Sequence, residues 1–281
     1  SEYGADALRM GMIAGRSAGY SAAYAPSKVL AGRNFCNKLW NIARYSETKL
    51  GETFSRENPK AKTAADHWIL YATNNAAALI ASLLDSYRFS EAYDVVYHYI
   101  WDDFADWYIE ASKAELNQSV LAYVLETALK LTHPFAPFVS ETIWQTLQWR
   151  SGDLLITAPW PTSVKTDKNK ATEFEEIKTI VSEVRYISTA LDVKNPSLYF
   201  TNSAFLKDNA ALIARFARLA RVGEVESGRG LHLTNTHHNC WLDIDLHTAQ
   251  VYVTKLRVAK EEKQALIERL NMRLNNKSYT D

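Results

Sequence analysis

Gly32-Arg-Asn-Phe-Cys-Asn-Lys-Leu-Trp-Asn-Ile-Ala-Arg-Tyr45 is the stretch that decides how this chain is organised. Wound as an α-helix at about 100° per residue, it separates into two faces. One face is apolar and is predicted to pack in a core; it consists of Phe35, Cys36, Leu39, Ile42 and Ala43. The opposite face is polar, with Trp40 on its border; it consists of Arg33, Asn34, Asn37, Lys38, Asn41, Arg44 and Tyr45. The stretch therefore predicts an amphipathic helix.

The polar face contains no carboxylate, whereas an ordinary solvated helix face mixes Glu with Lys. Arg offers a planar fork of donors, Asn a donor beside an acceptor, and Tyr a ring on which a base can stack. These groups suit the phosphates and unstacked bases of single-stranded RNA. Residues 28–49 hold five basic residues and one acidic residue, Glu47, so the charge is local. From these residues alone, RNA binding and a plain polar surface are equal alternatives.

The whole chain has 281 residues, which is enough for one large or two modest domains. Its 32 basic residues balance its 32 acidic residues, so no global field favours DNA or a membrane surface. The two cysteines, the lack of a leader peptide and the lack of a long apolar run predict a cytoplasmic protein with reduced thiols. We expect a monomer with no DNA and no membrane partner.

Helical patterns fill the first half of the chain, and they are separated by Pro26, Gly51, Pro59 and His133-Pro-Phe-Ala-Pro137. Long helices joined by short loops predict a mainly α fold built on an antiparallel helix bundle. We expect four parts: a helical bundle over 1–150, an extended linker over 151–170, a small α+β connector over 171–248, and the first arm of a truncated coiled coil over 249–281.

Two clusters could carry chemistry, and for each we favour a structural interpretation. Asp102, Asp103 and Asp106 could act as acid and base, but the aromatic residues between them favour ion pairing in a packed helix. His237 and His238 could bind a metal, but no Cys or carboxylate stands at a supporting spacing in the sequence. The sequence therefore predicts no catalytic residue and no metal site.

Several segments, in matching order, resemble class I aminoacyl-tRNA synthetases of the valine, isoleucine and leucine group. Tyr3-Gly-Ala-Asp-Ala-Leu-Arg9 resembles the segment that follows the KMSKS loop, and residues 32–45 resemble the start of the anticodon-binding bundle in the valine enzymes. The other matching segments are Ile100-Trp-Asp-Asp-Phe-Ala-Asp-Trp-Tyr108, His133-Pro-Phe-Ala-Pro-Phe138, Glu141-Thr-Ile-Trp144, Ala158-Pro-Trp-Pro161, Ile180-Val-Ser-Glu-Val-Arg185 and Arg273-Leu-Asn-Asn-Lys-Ser-Tyr279. The resemblance covers nearly the whole chain.

The resemblance implies a part of a valine–tRNA ligase that binds valine-specific tRNA through its anticodon. Arg44 and Tyr45 match the Arg–aromatic pair that reads and stacks anticodon bases, and Asn41 lies one turn earlier on the same face. Tyr45 stands where family members usually have Phe. Supporting RNA contacts are implied for Arg33, Asn34 and Lys38, and possible phosphate contacts for Lys28, Arg257 and Lys260.

In such an enzyme the ATP- and Mg-dependent chemistry belongs to a nucleotide-binding fold, which would lie before Ser1 together with the editing domain. We therefore expect this stretch to bind tRNA, to need no cofactor and to be inactive alone, with the coiled coil continuing past Asp281. Three alternatives stay open: the same domain of an isoleucine or leucine enzyme, a helical protein-interaction scaffold without RNA affinity, and a hydrolase that uses Asp102 and Asp106.

Overall fold

The structure is a computed structural model that describes residues 3–15, 25–51, 58–148 and 152–275. The predicted boundary at residue 150 and the predicted tail after residue 275 lie outside the described residues. The chain divides into two compact units, Ser1–Glu175 and Glu176–Asp281, and the division falls within one helix. The predicted four-part division of the chain stays a prediction.

The first unit is a helix bundle, which confirms the predicted mainly α fold. Its helices are α1 (Ala5–Ile13), α2 (Pro26–Lys49), α3 (Ala64–Asp85), α4 (Phe89–His98), a π-helix (Tyr99–Tyr108), α5 (Ile109–Ser112), α6 (Gln118–Thr132), α7 (Pro137–Leu147), a 3-10 turn (Leu155–Thr157) and the start of α8 (Lys168–Leu191). Helix α1 packs on α2, α3 on α4 and the π-helix, and α6 on α7.

Helix α2 begins at Pro26, a residue favoured in the first helical turn. Its predicted apolar face is buried at Phe35 and at three further positions, whereas Cys36 is only half-buried. Burial raises the pKa of Cys36 to about 12, with a smaller contribution from Asp6, so this thiol stays protonated. A side chain cannot fit at Gly32, because a Cβ there would lie 2.9 Å from the carbonyl oxygen of Ala7. Glycine therefore lets α1 lie directly against α2.

A continuous helical stretch rich in aromatic residues runs from Phe89 to Ser112, and its middle part winds as a π-helix. Its buried residues recur every five positions: Tyr99, Phe104 and Ile109 form one row, and Ile100 and Ala105 form another. A π-helix is defined by i→i+5 hydrogen bonds, so this spacing places both rows against the core. The five-residue repeat of buried positions therefore accompanies the π-helical segment.

Asp66 organises a buried polar cluster at the start of α3, with only 1% of its surface exposed. Thr63 and Asp66 form a reciprocal capping box, in which the Asp66 N–H donates to Thr63 Oγ1 at 3.1 Å. The Asp66 carboxylate also accepts from Lys62 N at 2.9 Å, from the Tyr108 hydroxyl at 2.8 Å and from Asn117 Nδ2 at 2.7 Å. Burial, followed by the charge of Asp66, raises the pKa of Tyr108. One carboxylate thus joins α3, the π-helix and the start of α6.

The segment from Tyr3 to Arg9 fastens α1 to the sharp break between α6 and α7. The Asp6 carboxylate accepts two backbone N–H groups of the first turn of α7, at 2.6 and 3.2 Å. An anion is stabilised at this end of a helix by the unpaired N–H groups and the helix dipole. The Arg9 guanidinium donates to the carbonyl oxygens of Pro134 and Phe135, at 3.1 and 3.4 Å. The two segments are far apart in sequence and interlock in the fold.

The extended stretch before α8 is hydrogen-bonded to the bundle. The Asn74 side chain of α3 both donates to the carbonyl and accepts from the N–H of Val164, at 2.8 and 3.0 Å. The Tyr123 hydroxyl of α6 donates to the carbonyl oxygen of Thr162 at 2.9 Å. These bonds explain why this stretch belongs to the first compact unit.

The second unit is the predicted small α+β unit followed by a long helix. It contains the end of α8, β1 (Ser197–Phe200), α9 (Ala204–Asp208), α10 (Ala210–Ala217), β2 (Arg221–Glu224), β3 (Leu231–His232), β4 (Cys240–Leu242) and α11 (Leu246–Leu274). The sheet order is β2-β1-β4-β3; β1 and β2 are parallel and the other pairs are antiparallel. Tyr252 is the buried residue of α11, and pairing of this helix in a coiled coil stays a prediction. Among the described helices, none combines the length and the apolarity that crossing a bilayer requires.

Candidate RNA-binding face

The polar side of α2 is open along its length. Arg33, Asn34, Asn41 and Arg44 are exposed, and Lys38 and Tyr45 are half-buried. Because positions three and four apart lie on the same side of an α-helix, these side chains form one continuous strip. These six predicted RNA contacts therefore share one surface, which we call the α2 strip.

Asn41 and Arg44 are two exposed members of the α2 strip. Within the described ranges, neither side chain has a hydrogen-bond or ion-pair partner. Their amide and guanidinium groups are solvated and ready to exchange water for a ligand. An Asn amide can pair with a base edge, and an Arg fork can contact either a base or a phosphate.

Tyr45 is held by its hydroxyl and flanked by two ammonium groups. Its hydroxyl forms a 3.0 Å hydrogen bond with Ser112 Oγ on α5. Lys49 Nζ and Lys113 Nζ lie 6.0 and 5.9 Å from the centroid of its ring. Lys113 also forms an ion pair with Glu110. The half-buried ring is thus held in place by its hydroxyl and has positive charge nearby. A nucleotide could stack its base on such a ring while the lysines contact its phosphate.

Lys38 has a carboxylate partner that the α2 sequence does not contain. Its Nζ lies 2.8 Å from Oδ1 of Asp106 on the π-helix and 5.0 Å from the ring centroid of Trp101. Trp101 stacks on Tyr97 with a centroid distance of 5.5 Å, and Tyr97 stacks on Phe35 at 5.6 Å. The α2 strip itself contains no carboxylate, but it borders Asp106 of the π-helix. RNA would therefore have to compete with Asp106 for Lys38.

The remaining predicted RNA contacts differ in whether their side chains already interact with other groups of the protein. Arg33 lies over the ring of Tyr3, with 5.6 Å from its guanidinium carbon to the ring centroid. Lys28 Nζ donates to the carbonyl oxygen of Ala14 at 2.8 Å, so it stabilises the end of α1. Asn34 is exposed. Arg257 and Lys260 are exposed on α11 in the second unit.

Asp102 and Asp106 of the π-helix have separate partners. The Asp102 carboxylate bonds to Nδ1 of His98 at 2.7 Å, whereas that of Asp106 bonds to Lys38. Their separate partners support the ion-pairing interpretation over acid–base chemistry.

Sequence reasoning missed Ser112 and Lys113, which complete the surroundings of Tyr45. They lie on and after the short helix α5, and Ser112 is 67 residues beyond Tyr45, so no local spacing indicates them. Lys49 could have been found, because it follows Tyr45 by one helical turn on α2.

Comparison with known proteins finds similarity to tRNA ligases. Residues 66–198 match the family described as the anticodon-binding domain of tRNA ligase. The chain is 37% identical over 239 residues to a valine–tRNA ligase of Staphylococcus epidermidis, covering 76% of this chain and 27% of that protein. It is 39% identical over 204 residues to a valine–tRNA ligase of Staphylococcus carnosus, covering 68% of this chain and 23% of that protein. The chain thus spans about a quarter of the length of the curated relatives it matches.

A solved structure shows the same fold. It is the ternary complex of Agrobacterium radiobacter K84 agnB2 LeuRS with tRNA and LeuAMS, with a TM-score of 0.50 and 16% identity. The match covers 72% of this chain and 22% of that chain. At this level of identity the likeness concerns the fold alone.

Proposed function

We propose that this chain, which carries an anticodon-binding domain of tRNA ligase and is a relative of valine–tRNA ligases, binds the anticodon arm of a valine-specific tRNA. The observation that carries this proposal is the α2 strip. Its solvated Asn41 and Arg44 stand beside a Tyr45 ring that has two lysines within about 6 Å.

In the proposed complex, each group of the strip has a distinct role. Tyr45 provides a plane on which one unstacked anticodon base stacks. Arg44 and Asn41 hydrogen-bond to base edges, where donor and acceptor patterns differ between bases. Lys49 and Lys113 neutralise the phosphates that flank the stacked base. Arg33 and Asn34 extend the contact along α2, and Lys38 joins it when it exchanges Asp106 for a phosphate.

The complete enzyme would join valine to its tRNA with ATP and Mg, and this stretch would supply recognition. That division of labour agrees with the matched relatives, which extend well beyond the part that aligns with this chain. The residues of the strip are donors and a stacking plane, and none of them has the arrangement of a nucleophile with its base. A cytoplasmic monomer remains our expectation for this protein.

The test is a binding titration of the 281-residue protein with an RNA stem–loop that bears a valine anticodon. Arg44→Ala and Tyr45→Ala should each weaken binding by about 1–3 kcal/mol, or roughly 5-fold to 160-fold. Tyr45→Phe should retain most of the affinity, because it keeps the ring and loses only the bond to Ser112. Arg88→Ala is the matched control, because it removes an exposed arginine from the turn between α3 and α4.

The salt dependence separates base contacts from phosphate contacts. If Arg44 binds a phosphate, Arg44→Ala should reduce the slope of log affinity against log salt by about one. If Arg44 reads a base, the slope should stay and discrimination between anticodons should weaken. Equal affinity of the wild type and both alanine variants would refute the site, and no binding to any stem–loop would favour the protein-interaction scaffold. Preference for an isoleucine or leucine anticodon would correct the specificity.

A further inference from the structure

The second unit brings together three metal-ligating side chains that lie far apart in the sequence. His237 and His238 lie in the loop between β3 and β4, and Glu176 lies on α8, 62 residues before His238. One ligand atom from each of the three lies within 4.8 Å of the other two. The supporting carboxylate stands at no local sequence spacing, because the fold brings it from a distant helix.

The imidazole rings of His237 and His238 both lie close to the same carboxylate oxygen of Glu176. Nε2 of His238 lies 3.4 Å from Oε2 of Glu176, and Nε2 of His237 lies 4.0 Å from it. The two rings are 4.1 Å apart between centroids.

The ring of His238 is fixed in the orientation that a ligand needs. Its Nδ1 forms a 3.2 Å hydrogen bond with Ser203 Oγ, at the start of α9, which leaves Nε2 directed at Glu176. Phe205 stacks on the same ring with a centroid distance of 4.9 Å and an interplanar angle of 7°. The His238 side chain is 13% exposed, compared with 70% for His237. Metal-binding histidines are usually oriented in this way, through a hydrogen bond on the other ring nitrogen.

We propose that Glu176, His237 and His238 form a binding site for one divalent transition-metal ion of the zinc class. Imidazole nitrogen with one carboxylate oxygen is a donor set that suits Zn²⁺ and disfavours Mg²⁺, which prefers oxygen ligands. Zinc bonds of about 2.0–2.2 Å in a tetrahedral site separate the ligand atoms by about 3.3–3.6 Å. The His238–Glu176 distance of 3.4 Å already has this value, whereas the His237–Glu176 distance of 4.0 Å has to shorten by about 0.4–0.7 Å.

Solvent completes the site. Three protein ligands leave a tetrahedral ion one open position, which a water molecule fills on the exposed side of His237. The metal would tie the β3–β4 loop to α8, next to the place where the Glu183 carboxylate already accepts from the N–H groups of Thr234 and Asn235, at 2.7 and 2.9 Å. The ion therefore reinforces an attachment that the fold has already made.

The test is calorimetric titration of the untagged, metal-free 281-residue protein with Zn²⁺ alone. We expect one equivalent to bind, and we expect Mg²⁺ to give no heat at the same concentration. His238→Ala and Glu176→Gln should each lower the Zn²⁺ affinity by about tenfold or more. The matched controls are His247→Ala, an exposed histidine of α11, and Glu173→Gln, an exposed glutamate one turn before Glu176 on α8; both should bind as the wild type does.

A second readout guards against misfolding of the variants. Circular dichroism should show the helix content of each variant unchanged, and saturating Zn²⁺ should raise the melting temperature of the wild type and both controls but not that of Glu176→Gln. Co²⁺ bound to the wild type should show the strong visible absorption of a tetrahedral site. Absence of Zn²⁺ binding, equal affinity in His238→Ala, or equal binding of Mg²⁺ would each overturn the proposal.

Discussion

The Asp66 cluster and the α2 strip are two polar regions of the same helical unit, and they differ in how their groups are partnered. At Asp66, a carboxylate, an amide, a hydroxyl and two backbone N–H groups satisfy one another in the interior. On the α2 strip, Asn41 and Arg44 are exposed and have no such partner among the described residues. The residue types overlap, so the difference lies in burial and partners.

This difference indicates how to separate polar groups that stabilise the fold from those that are available to a ligand. A buried polar group must be paired or it costs stability, so the Asp66 cluster is committed to the fold. An exposed group loses only water when it binds a partner. Lys38 lies between the two cases, because it is half-buried and paired with Asp106.

The largest effect is expected at the Asp66 cluster. Asp66→Ala should lower the free energy of unfolding by about 3–5 kcal/mol, because it removes the acceptor of the buried Tyr108 hydroxyl, one acceptor of the Asn117 amide and the acceptor of two partly buried N–H groups. Urea denaturation followed by tryptophan fluorescence measures it, since seven of the eight tryptophans precede residue 176. Asp85→Ala, at an exposed aspartate of α3, should cost little; a loss below about 1 kcal/mol in Asp66→Ala would contradict the assignment.

The next effect concerns the buried side of α2. Gly32→Ala should lower the free energy of unfolding by about 1–2 kcal/mol, because its Cβ meets the Ala7 backbone at 2.9 Å and the gain in helix propensity offsets only part of the strain. Gly51→Ala is the matched control, because its Cβ would be 3.6 Å from the flexible end of Gln118. The same denaturation measures both. Equal stability of the two variants would show that α1 can shift away from Gly32 at little cost, despite the 2.9 Å approach to Ala7.

A smaller effect tests the intermediate position of Lys38. Asp106→Asn should strengthen binding of the anticodon stem–loop by about twofold to fivefold, because it removes the partner with which RNA competes. Asp102→Asn, which removes the same charge but leaves the Lys38 pair intact, should give a smaller gain. Adding Lys38→Ala to Asp106→Asn should abolish the difference. If both single variants bind equally, only the general charge matters and Lys38 is not a contact.

The smallest effect is a dependence of stability on pH at His133. Burial lowers the pKa of His133, so the unfolded chain takes up the proton more readily than the folded chain. Stability should therefore fall as the pH falls through about 6.5, the ordinary value of a histidine. Urea midpoints at about pH 7.5 and about pH 5.5 measure this loss, which should be smaller in His133→Gln and unchanged in His247→Gln. If His133→Gln lost as much stability as the wild type, the pH dependence would come from other titratable groups.

Much of the fold could be predicted from local sequence, because helix periodicity and chain breakers are local signals. The buried face of α2 and the break at residues 133–137 are confirmed for that reason. The π-helix could not be predicted from α-helical spacing, since the five-residue repeat of Tyr99, Phe104 and Ile109 depends on what the helix packs against. Propensity and spacing do not contain that information.

The candidate site shows the same limit more clearly. The sequence of α2 predicts which side chains share the strip, but not that Asp106 neutralises Lys38 or that Lys113 lies at the ring of Tyr45. Glu176 joins His237 and His238 for the same reason. Each of these contacts spans more than 60 residues, so it is set by tertiary packing and leaves no trace in local spacing.

The attachment of α1 to the start of α7 has a consequence for the order in which the chain acquires its structure. Asp6 finds its N–H partners 132 and 133 residues later, and Arg9 finds its carbonyl partners 125 and 126 residues later. Contacts between such distant positions raise the contact order and close late in folding. On a ribosome, which delivers the chain from its amino end, α1 would wait for most of the bundle to emerge before α7 arrives. The contact between α1 and α7 therefore forms only after most of the bundle has been synthesised. A chain arrested before α7 would leave the carboxylate of Asp6 without the N–H groups that it accepts in the folded protein.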